Sequence, residues 1–252
     1  MAVRARRYAD AAVSTRSAAG AAVIFVMALL GACASRPPPP DWQLSAKAAS
    51  ERATAAFLNG DARIEAQEMA QARLQTARTG RADLLARIEL AHCAAATASL
   101  VLQPCAGFEA LRIDAGAAEI AYADFLGARL TAPDVALLPA AQRGVAALLV
   151  DAASAAAPPA STAAIALRAI DAPLSRLVGA GVLFAAGRAD PAVIDIAIET
   201  ASAQGWRRPL LAWLGVQLRR AELSADDAAA QRLRRRIARV QQDPGVGGAA
   251  AP

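Results

Sequence analysis

The chain has 252 residues, of which 56% are hydrophobic but only 4% aromatic, a balance that favours alanine-rich helices with few large side chains. Its formal net charge is +5 at neutral pH, but four arginines and one aspartate precede residue 33, so cleavage there would leave +2. A net charge of +2 on a protein of this size gives no reason to expect nucleic acid as a partner.

The first 32 residues have the layout of an export signal. Arginines precede an uncharged apolar run from Ala18 to Ala32. Its 15 residues are fewer than the roughly 20 that a membrane-spanning helix needs. A basic start, a short apolar run and small residues before a break are instead typical of a secretory signal peptide.

The end of this segment, Leu30-Gly31-Ala32-Cys33, resembles the lipobox of bacterial lipoproteins. The resemblance implies cleavage between Ala32 and Cys33, a diacylglycerol on the Cys33 thiol and an acyl chain on its amino group, with no other cofactor. Because Ala34 replaces the aspartate that favours inner-membrane retention, the same resemblance implies the outer membrane, on its periplasmic face. An ordinary cleaved signal peptide and an uncleaved anchor remain as alternatives.

Four consecutive prolines, Pro37 to Pro40, come next and predict a stiff polyproline II spacer. The chain is thus divided into a signal peptide (1–32), a lipidated cysteine with a proline-rich tether (33–42), a helical domain (43–241) and a disordered tail (242–252).

From residue 43 onward helical periodicity is nearly continuous and no strand hairpin is indicated, so the predicted fold is all-α. Ser224 and Asp227 resemble a capping box and are predicted to begin the last helix. The helices are predicted at 43–59, 62–79, 82–102, 106–129, 140–156, 160–170, 173–187, from Asp190-Pro191 onward, 207–222 and 224–241.

Two segments, which begin at Phe57 and Phe184, resemble each other. In each, the phenylalanine precedes a turn glycine by three residues, and the next helix ends at a second glycine. The glycines are Gly60 and Gly80 in the first segment and Gly187 and Gly205 in the second. The pattern is similar to degenerate tetratricopeptide-type hairpins, which implies a helical-hairpin array; an irregular helical bundle is the alternative.

Two cysteines, Cys93 and Cys105, lie in the predicted helical domain. An exported protein meets an oxidising compartment, where an even pair predicts a disulfide. Two buried free thiols are the alternative. No C-x-x-C motif is present, so redox catalysis is not indicated.

Few side chains suggest catalysis. His92 is the only histidine, and no G-x-S-x-G motif accompanies it. Glu65 with Glu68, and Asp195 with Glu199, have a spacing that paired acids of glycoside hydrolysis would allow, but solvated helix faces explain them more simply. We therefore predict neither catalytic residues nor metal ligands.

The strongest charge cluster is "RLRRRIARV" in the last predicted helix. An apolar stripe of Leu233, Ile237 and Val240 predicts an amphipathic terminal helix. Because arginine suits phosphate groups, contact with anionic lipid or lipopolysaccharide is a second interpretation. The arginines concerned are Arg232, Arg234, Arg235, Arg236 and Arg239.

These features predict an outer-membrane-anchored periplasmic lipoprotein that acts as a scaffold or protein-interaction module of the cell envelope. The expected partners are the membrane and other envelope proteins. The chain resembles many helical lipoproteins of Gram-negative bacteria, and that resemblance implies no particular activity. A cell-wall enzyme and a carrier of an apolar ligand remain as alternatives.

Overall fold

The computed structural model describes residues 38–151 and 160–242. All regular structure within these residues is helical and contains no strand, which confirms the predicted all-α class. The predictions for the signal peptide, for Cys33 and for the tail from residue 243 lie outside the described residues.

Eleven α-helices and two short 3₁₀ helices follow one another in the described ranges. The 3₁₀ helices, Arg112–Asp114 and Ala132–Leu137, lie on either side of the fifth α-helix. The α-helices are α1 Asp41–Asn59, α2 Ala62–Ala77, α3 Ala82–Ala98, α4 Ala106–Glu109, α5 Ala117–Leu126, α6 Ala140–Asp151, α7 Ala160–Arg168, α8 Pro173–Ala185, α9 Pro191–Ala203, α10 Arg207–Leu223 and α11 Asp227–Gln241.

The predicted turn glycines share one backbone conformation. Gly60, Gly80, Gly187 and Gly205 all have positive φ, between 65° and 91°, a region that glycine enters without the clash of a Cβ. After three of them the next amide donates to the carbonyl five residues earlier, which is the bond of a Schellman cap. The glycines therefore end α1, α2, α8 and α9 and allow the chain to reverse.

The helices close into a bundle instead of continuing as an open array. Neighbouring helices pack as hairpins, but α3 also packs on α8, and α1 packs on α10. The largest side chains of the core are Trp213, Phe108 and Phe125, all fully buried. The bundle alternative is thus confirmed, and hairpin packing is one part of it.

Small residues allow α3 and α8 to approach closely. A Cβ added at Gly181 of α8 would overlap the carbonyl oxygen of Thr97 on α3. Three alanines are buried at the same crossing or beside it, namely Ala94, Ala98 and Ala180. The alanine-rich composition therefore serves close helix contact, in which dispersion between backbones replaces large side chains.

Arginine–glutamate pairs connect four helices in series, from α1 to α2, from α2 to α3 and from α3 to α5. The Arg52 guanidinium holds the pKa of Glu68 below its usual value through hydrogen bonds at 2.8 and 2.9 Å. The pairs are Arg52–Glu68, Arg73–Glu89 and Arg87–Glu119, with shortest nitrogen–oxygen distances of 2.8, 2.6 and 2.7 Å.

The predicted start of the last helix is wrong. Ser224 ends α10, and its Oγ donates to the carbonyl oxygens of Arg220 and Ala221 at 3.1 Å. Asp226 is the N-cap of α11 and accepts from the backbone N–H of Ala229 at 2.9 Å. The reason is Ala225, whose φ of 55° makes the turn between the two helices.

The predicted helical region 106–129 is also divided. It contains α4, the 3₁₀ helix Arg112–Asp114 and α5. The extended backbone of Gly116, with ψ of 162°, separates the last two elements. A Cβ there would lie 2.5 Å from Oε2 of Glu119, so a larger residue would displace the carboxylate that pairs with Arg87.

Candidate anion-binding groove

The α10–α11 hairpin concentrates the positive charge of the chain. Residues 207–241 contain nine arginines and three carboxylates, a net charge of +6, whereas residues 33–206 contain 14 basic and 17 acidic side chains, a net charge of −3. A modest total charge thus hides a strong asymmetry, and an anionic partner would meet this hairpin first.

An open groove of about 1010 Å³ lies between α10 and α11. Its apolar lining includes Ala221, Ala229 and Leu233. No carboxylate is among the described residues that line it. Its charged lining consists of Arg220, Arg232, Arg235, Arg236 and Arg239.

The amphipathic pattern of α11 places the arginines on this side. Ala230 is buried, and Leu233, Ile237 and Val240 pack against the core, which confirms the predicted apolar stripe. Because residues three and four apart are neighbours on a helix surface, the arginines between these positions align beside the stripe. Packing of the stripe therefore fixes the row of guanidinium groups along the groove.

Three groove arginines have no counter-charge in the described part of the chain. Arg232, Arg235 and Arg239 form neither an ion pair nor a side-chain hydrogen bond with any described residue. Arg236 donates a long hydrogen bond of 3.4 Å to Ser202 Oγ. The donor groups of the row thus remain available to an external anion.

The set of arginines predicted from the sequence and the set that lines the groove differ by two residues. Arg234 does not line the groove; it pairs with Glu222 at 2.5 Å. Arg220 lines the groove from α10, although it lies twelve residues before the predicted cluster begins. Only the packing of α11 on α10 brings Arg220 to the others, so the linear sequence carried no signal for it.

A small depression with acidic side chains borders the groove. It measures about 530 Å³, and Gln217 and Arg236 line both features. Asp195 and Glu199 lie in it, where Asp195 accepts a hydrogen bond of 2.9 Å from Gln217 Nε2. These two carboxylates mark the limit of the positive surface.

The predicted disulfide is present. It joins Cys93 of α3 to Cys105, directly before α4, with the Cα atoms 5.9 Å apart. The prediction is therefore confirmed, and the alternative of two free thiols is not. A structural disulfide indicates an oxidising, extracytoplasmic compartment.

A cleft of about 520 Å³ beside the disulfide contains the carboxylates of Glu89 and Glu109. Glu89 is buried and accepts two hydrogen bonds from Arg73. Arg112 lowers the pKa of Glu109 through its hydrogen bond. A general acid at neutral pH needs a raised pKa, so Glu109 does not suit the role of the acid in glycoside hydrolysis.

His92 and Trp213 act as packing residues. His92 Nδ1 lies 3.6 Å from Glu65 Oε1, and its ring contacts Phe57 edge-on. Trp213 is fully buried and donates from Nε1 to the carbonyl oxygen of Ala98 at 3.1 Å. His92 thus joins three consecutive helices, whereas Trp213 joins two helices that are distant in sequence.

A more apolar groove of about 510 Å³ lies between α3, α5 and the second 3₁₀ helix. Its charged members are Arg87 and Glu119, which are paired with each other. The apolar lining consists of Leu90, Ala91, Ala118, Tyr122, Leu137, Leu138 and Pro139.

Residues 38–151 and 160–242 contain no helix with the length and apolar character of a membrane span. The same residues contain no group of three histidine, cysteine, aspartate or glutamate side chains placed to hold a metal ion.

Comparison with protein-family models, with curated proteins and with solved structures finds no match for this chain. Its function must therefore be inferred from its own residues.

Proposed function

We propose that this chain is an outer-membrane lipoprotein, anchored through Cys33, whose helical domain lies in the periplasm and serves as an interaction module of the cell envelope. The Cys93–Cys105 disulfide is the structural observation that carries the proposal, because structural disulfides form and persist mainly in oxidising compartments. It agrees with the export signal and the lipobox-like residues that end at Cys33.

The proposed anchor has a simple energetic basis. Each methylene of an acyl chain that enters the bilayer contributes about 0.8 kcal/mol, and a single chain anchors a protein only marginally. Diacylglycerol together with an N-terminal acyl chain would give Cys33 a stable attachment. The folded domain then needs no membrane span of its own.

The surface chemistry favours binding over catalysis. The arginines of the groove have donor groups available and an open approach, which suits recognition of a large anionic partner. In the cleft beside the disulfide, by contrast, the carboxylates of Glu89 and Glu109 are each held by an arginine. That pairing gives no support to a cell-wall enzyme.

Replacement of Cys33 tests the anchor. In a Gram-negative host, the unaltered chain should be cleaved, should incorporate labelled palmitate and should fractionate with the outer membrane. The Cys33→Ser chain should remain an unlabelled precursor. A chain with both Cys93 and Cys105 changed to alanine is the control, and it should still be labelled.

The lipoprotein assignment would be contradicted if the Cys33→Ser chain were cleaved and bound to the membrane normally, and if neither it nor the unaltered chain incorporated palmitate. An ordinary signal peptide would then account for the segment before Cys33.

A second candidate, a carrier of an apolar ligand, is favoured by the apolar groove between α3, α5 and the second 3₁₀ helix. Native mass spectrometry of the purified protein would show a retained lipid in this case. An Ala91→Phe substitution, which fills the groove, should remove it, whereas Ala70→Phe on the exposed face of α2 should not. Absence of any retained or added lipid would exclude this candidate.

A further inference from the structure

The groove arginines form an extended row and not a single pocket. Arg232 and Arg239 are seven residues apart on α11, which corresponds to about 10 Å along the helix. Arg235 lies between them, and Arg220 adds a guanidinium from α10. Such a row matches a surface with repeated negative groups better than one small anion.

Guanidinium groups suit phosphate in particular. Each presents a planar fork of N–H donors that can bind two phosphate oxygens, and each keeps its charge at any physiological pH. Within the described residues, the side chains of Arg232, Arg235 and Arg239 have no internal acceptor to give up. Binding would therefore break no existing ion pair at these positions.

An exposed apolar side chain stands beside the row. Leu223, at the end of α10, is 78% exposed and also lines the groove. An arginine row with an adjacent exposed leucine is the arrangement of interfacial helices, in which cations meet headgroup phosphates and an apolar side chain enters the acyl boundary.

We infer that the α10–α11 groove docks on an anionic phospholipid bilayer, with Arg220, Arg232, Arg235 and Arg239 on headgroup phosphates and Leu223 at the acyl boundary. The inference rests on the proposed function only for its membrane setting. With Cys33 in the bilayer, the eight residues to Asp41 reach at most about 29 Å, whatever conformation they adopt. The tether thus keeps the domain close to phosphates, which raises their effective concentration at the groove.

The test uses the chain from residue 33 with Cys33→Ser, which has no acyl chain but contains every described helix. Its binding to vesicles of phosphatidylcholine alone, and of phosphatidylcholine with about one third phosphatidylglycerol, is measured by flotation at about 0.1 M salt. We expect binding to the anionic vesicles only. Each arginine near a charged bilayer contributes about fivefold to partitioning. The triple variant Arg232→Gln/Arg235→Gln/Arg239→Gln should therefore bind the anionic vesicles about a hundredfold more weakly.

A control variant has the same change in net charge away from the groove. Three exposed arginines serve this purpose: Arg63 on α2, Arg78 directly after α2, and Arg168 on α7. The triple change of these three to glutamine should leave vesicle binding within about twofold. Circular dichroism confirms that both variants fold. A Leu223→Ser change in the unaltered arginine background should weaken binding without abolishing its salt dependence.

Four results would overturn the inference. They are no preference for anionic over neutral vesicles, equal loss in the two triple variants, binding of inorganic phosphate as tight as that of the anionic vesicles, and binding to soluble polyglutamate but not to vesicles. Because the tested chain lacks the acyl groups, none of these results depends on whether Cys33 is lipidated. The palmitate-labelling experiment judges that question separately.

Discussion

Trp213 Nε1 donates a hydrogen bond of 3.1 Å to the carbonyl oxygen of Ala98, a residue 115 positions earlier in the chain. The bond fixes α10 to the last turn of α3. Helix α10 contributes Arg220 to the groove, and α3 also contains Cys93. The indole also contacts the Phe184 ring edge-on, with centroids 5.7 Å apart. One buried side chain thus connects the arginine-rich hairpin with the half of the bundle that contains the disulfide.

Replacement of Trp213 by phenylalanine should destabilise the protein by about 1–3 kcal/mol. The substitution removes the donor and leaves the Ala98 carbonyl, which lies in the last turn of α3, buried without a partner. Urea unfolding followed by circular dichroism at 222 nm measures the change.

The matched control is Trp206→Phe, since Trp206 is only partly buried and precedes α10 as its N-cap. It should cost less than Trp213→Phe. Equal costs for the two substitutions would mean that the bond to Ala98 contributes nothing specific.

Removal of the disulfide should lower the free energy of unfolding by about 3 kcal/mol, because the Cys93–Cys105 link closes a loop across 12 positions and restricts the unfolded chain. The double change to alanine and the reduced protein should give similar urea midpoints. Reductant should have no effect on the double variant. A midpoint that does not move on reduction of the unaltered protein would contradict this contribution.

Two helical glycines should respond to alanine in opposite directions. Gly181→Ala would force a methyl group against the Thr97 carbonyl and should destabilise by about 1–3 kcal/mol. Gly215→Ala, on an exposed part of α10 with open space around it, should stabilise by about 0.5–1 kcal/mol. Thermal unfolding of both variants gives the comparison, and a stabilisation by Gly181→Ala as large as that by Gly215→Ala would refute the close crossing of α3 and α8.

Local signals in the sequence predicted local structure well. Gly60 and Gly187 end helices because they alone, among nearby residues, reach positive φ without strain. Asp190 caps α9 and accepts from the Val193 N–H at 2.9 Å, as its position before Pro191 predicts. These features depend on a few consecutive residues, so a single sequence contains them.

Features that depend on tertiary packing could not be predicted in the same way. Ala128 and Ala225 adopt positive φ although nothing in their chemistry requires it, and Ala225 displaced the predicted start of the last helix. Arg220 joins the groove, and Arg234 leaves it for Glu222, only because α10 and α11 pack together. The sequence therefore identified the charged helix but not which of its arginines line the groove.

Tyr122, in the helical domain, should lose its phenol proton at a higher pH than an ordinary tyrosine. Burial raises the pKa of Tyr122 to about 12, from an ordinary value of 10.0. Since the folded state favours the neutral phenol, this stabilisation is complete below pH 10 and is lost as the pH rises through 12. In a chain that begins at Cys33, Tyr122 is the only tyrosine, so absorbance at the tyrosinate band reports it directly.

The same chain in concentrated urea provides the reference and should titrate near 10. If the folded and unfolded proteins titrate together while circular dichroism remains unchanged, the Tyr122 ring is not shielded as the packing of α5 implies.

The lipid on Cys33 is the central claim, and mass spectrometry of the N-terminal peptide of protein purified from membranes tests it most directly. The account predicts a peptide that begins at Cys33 and carries the mass of a diacylglycerol and an acyl chain. A peptide that begins at another residue, or one with an unmodified Cys33, would contradict it.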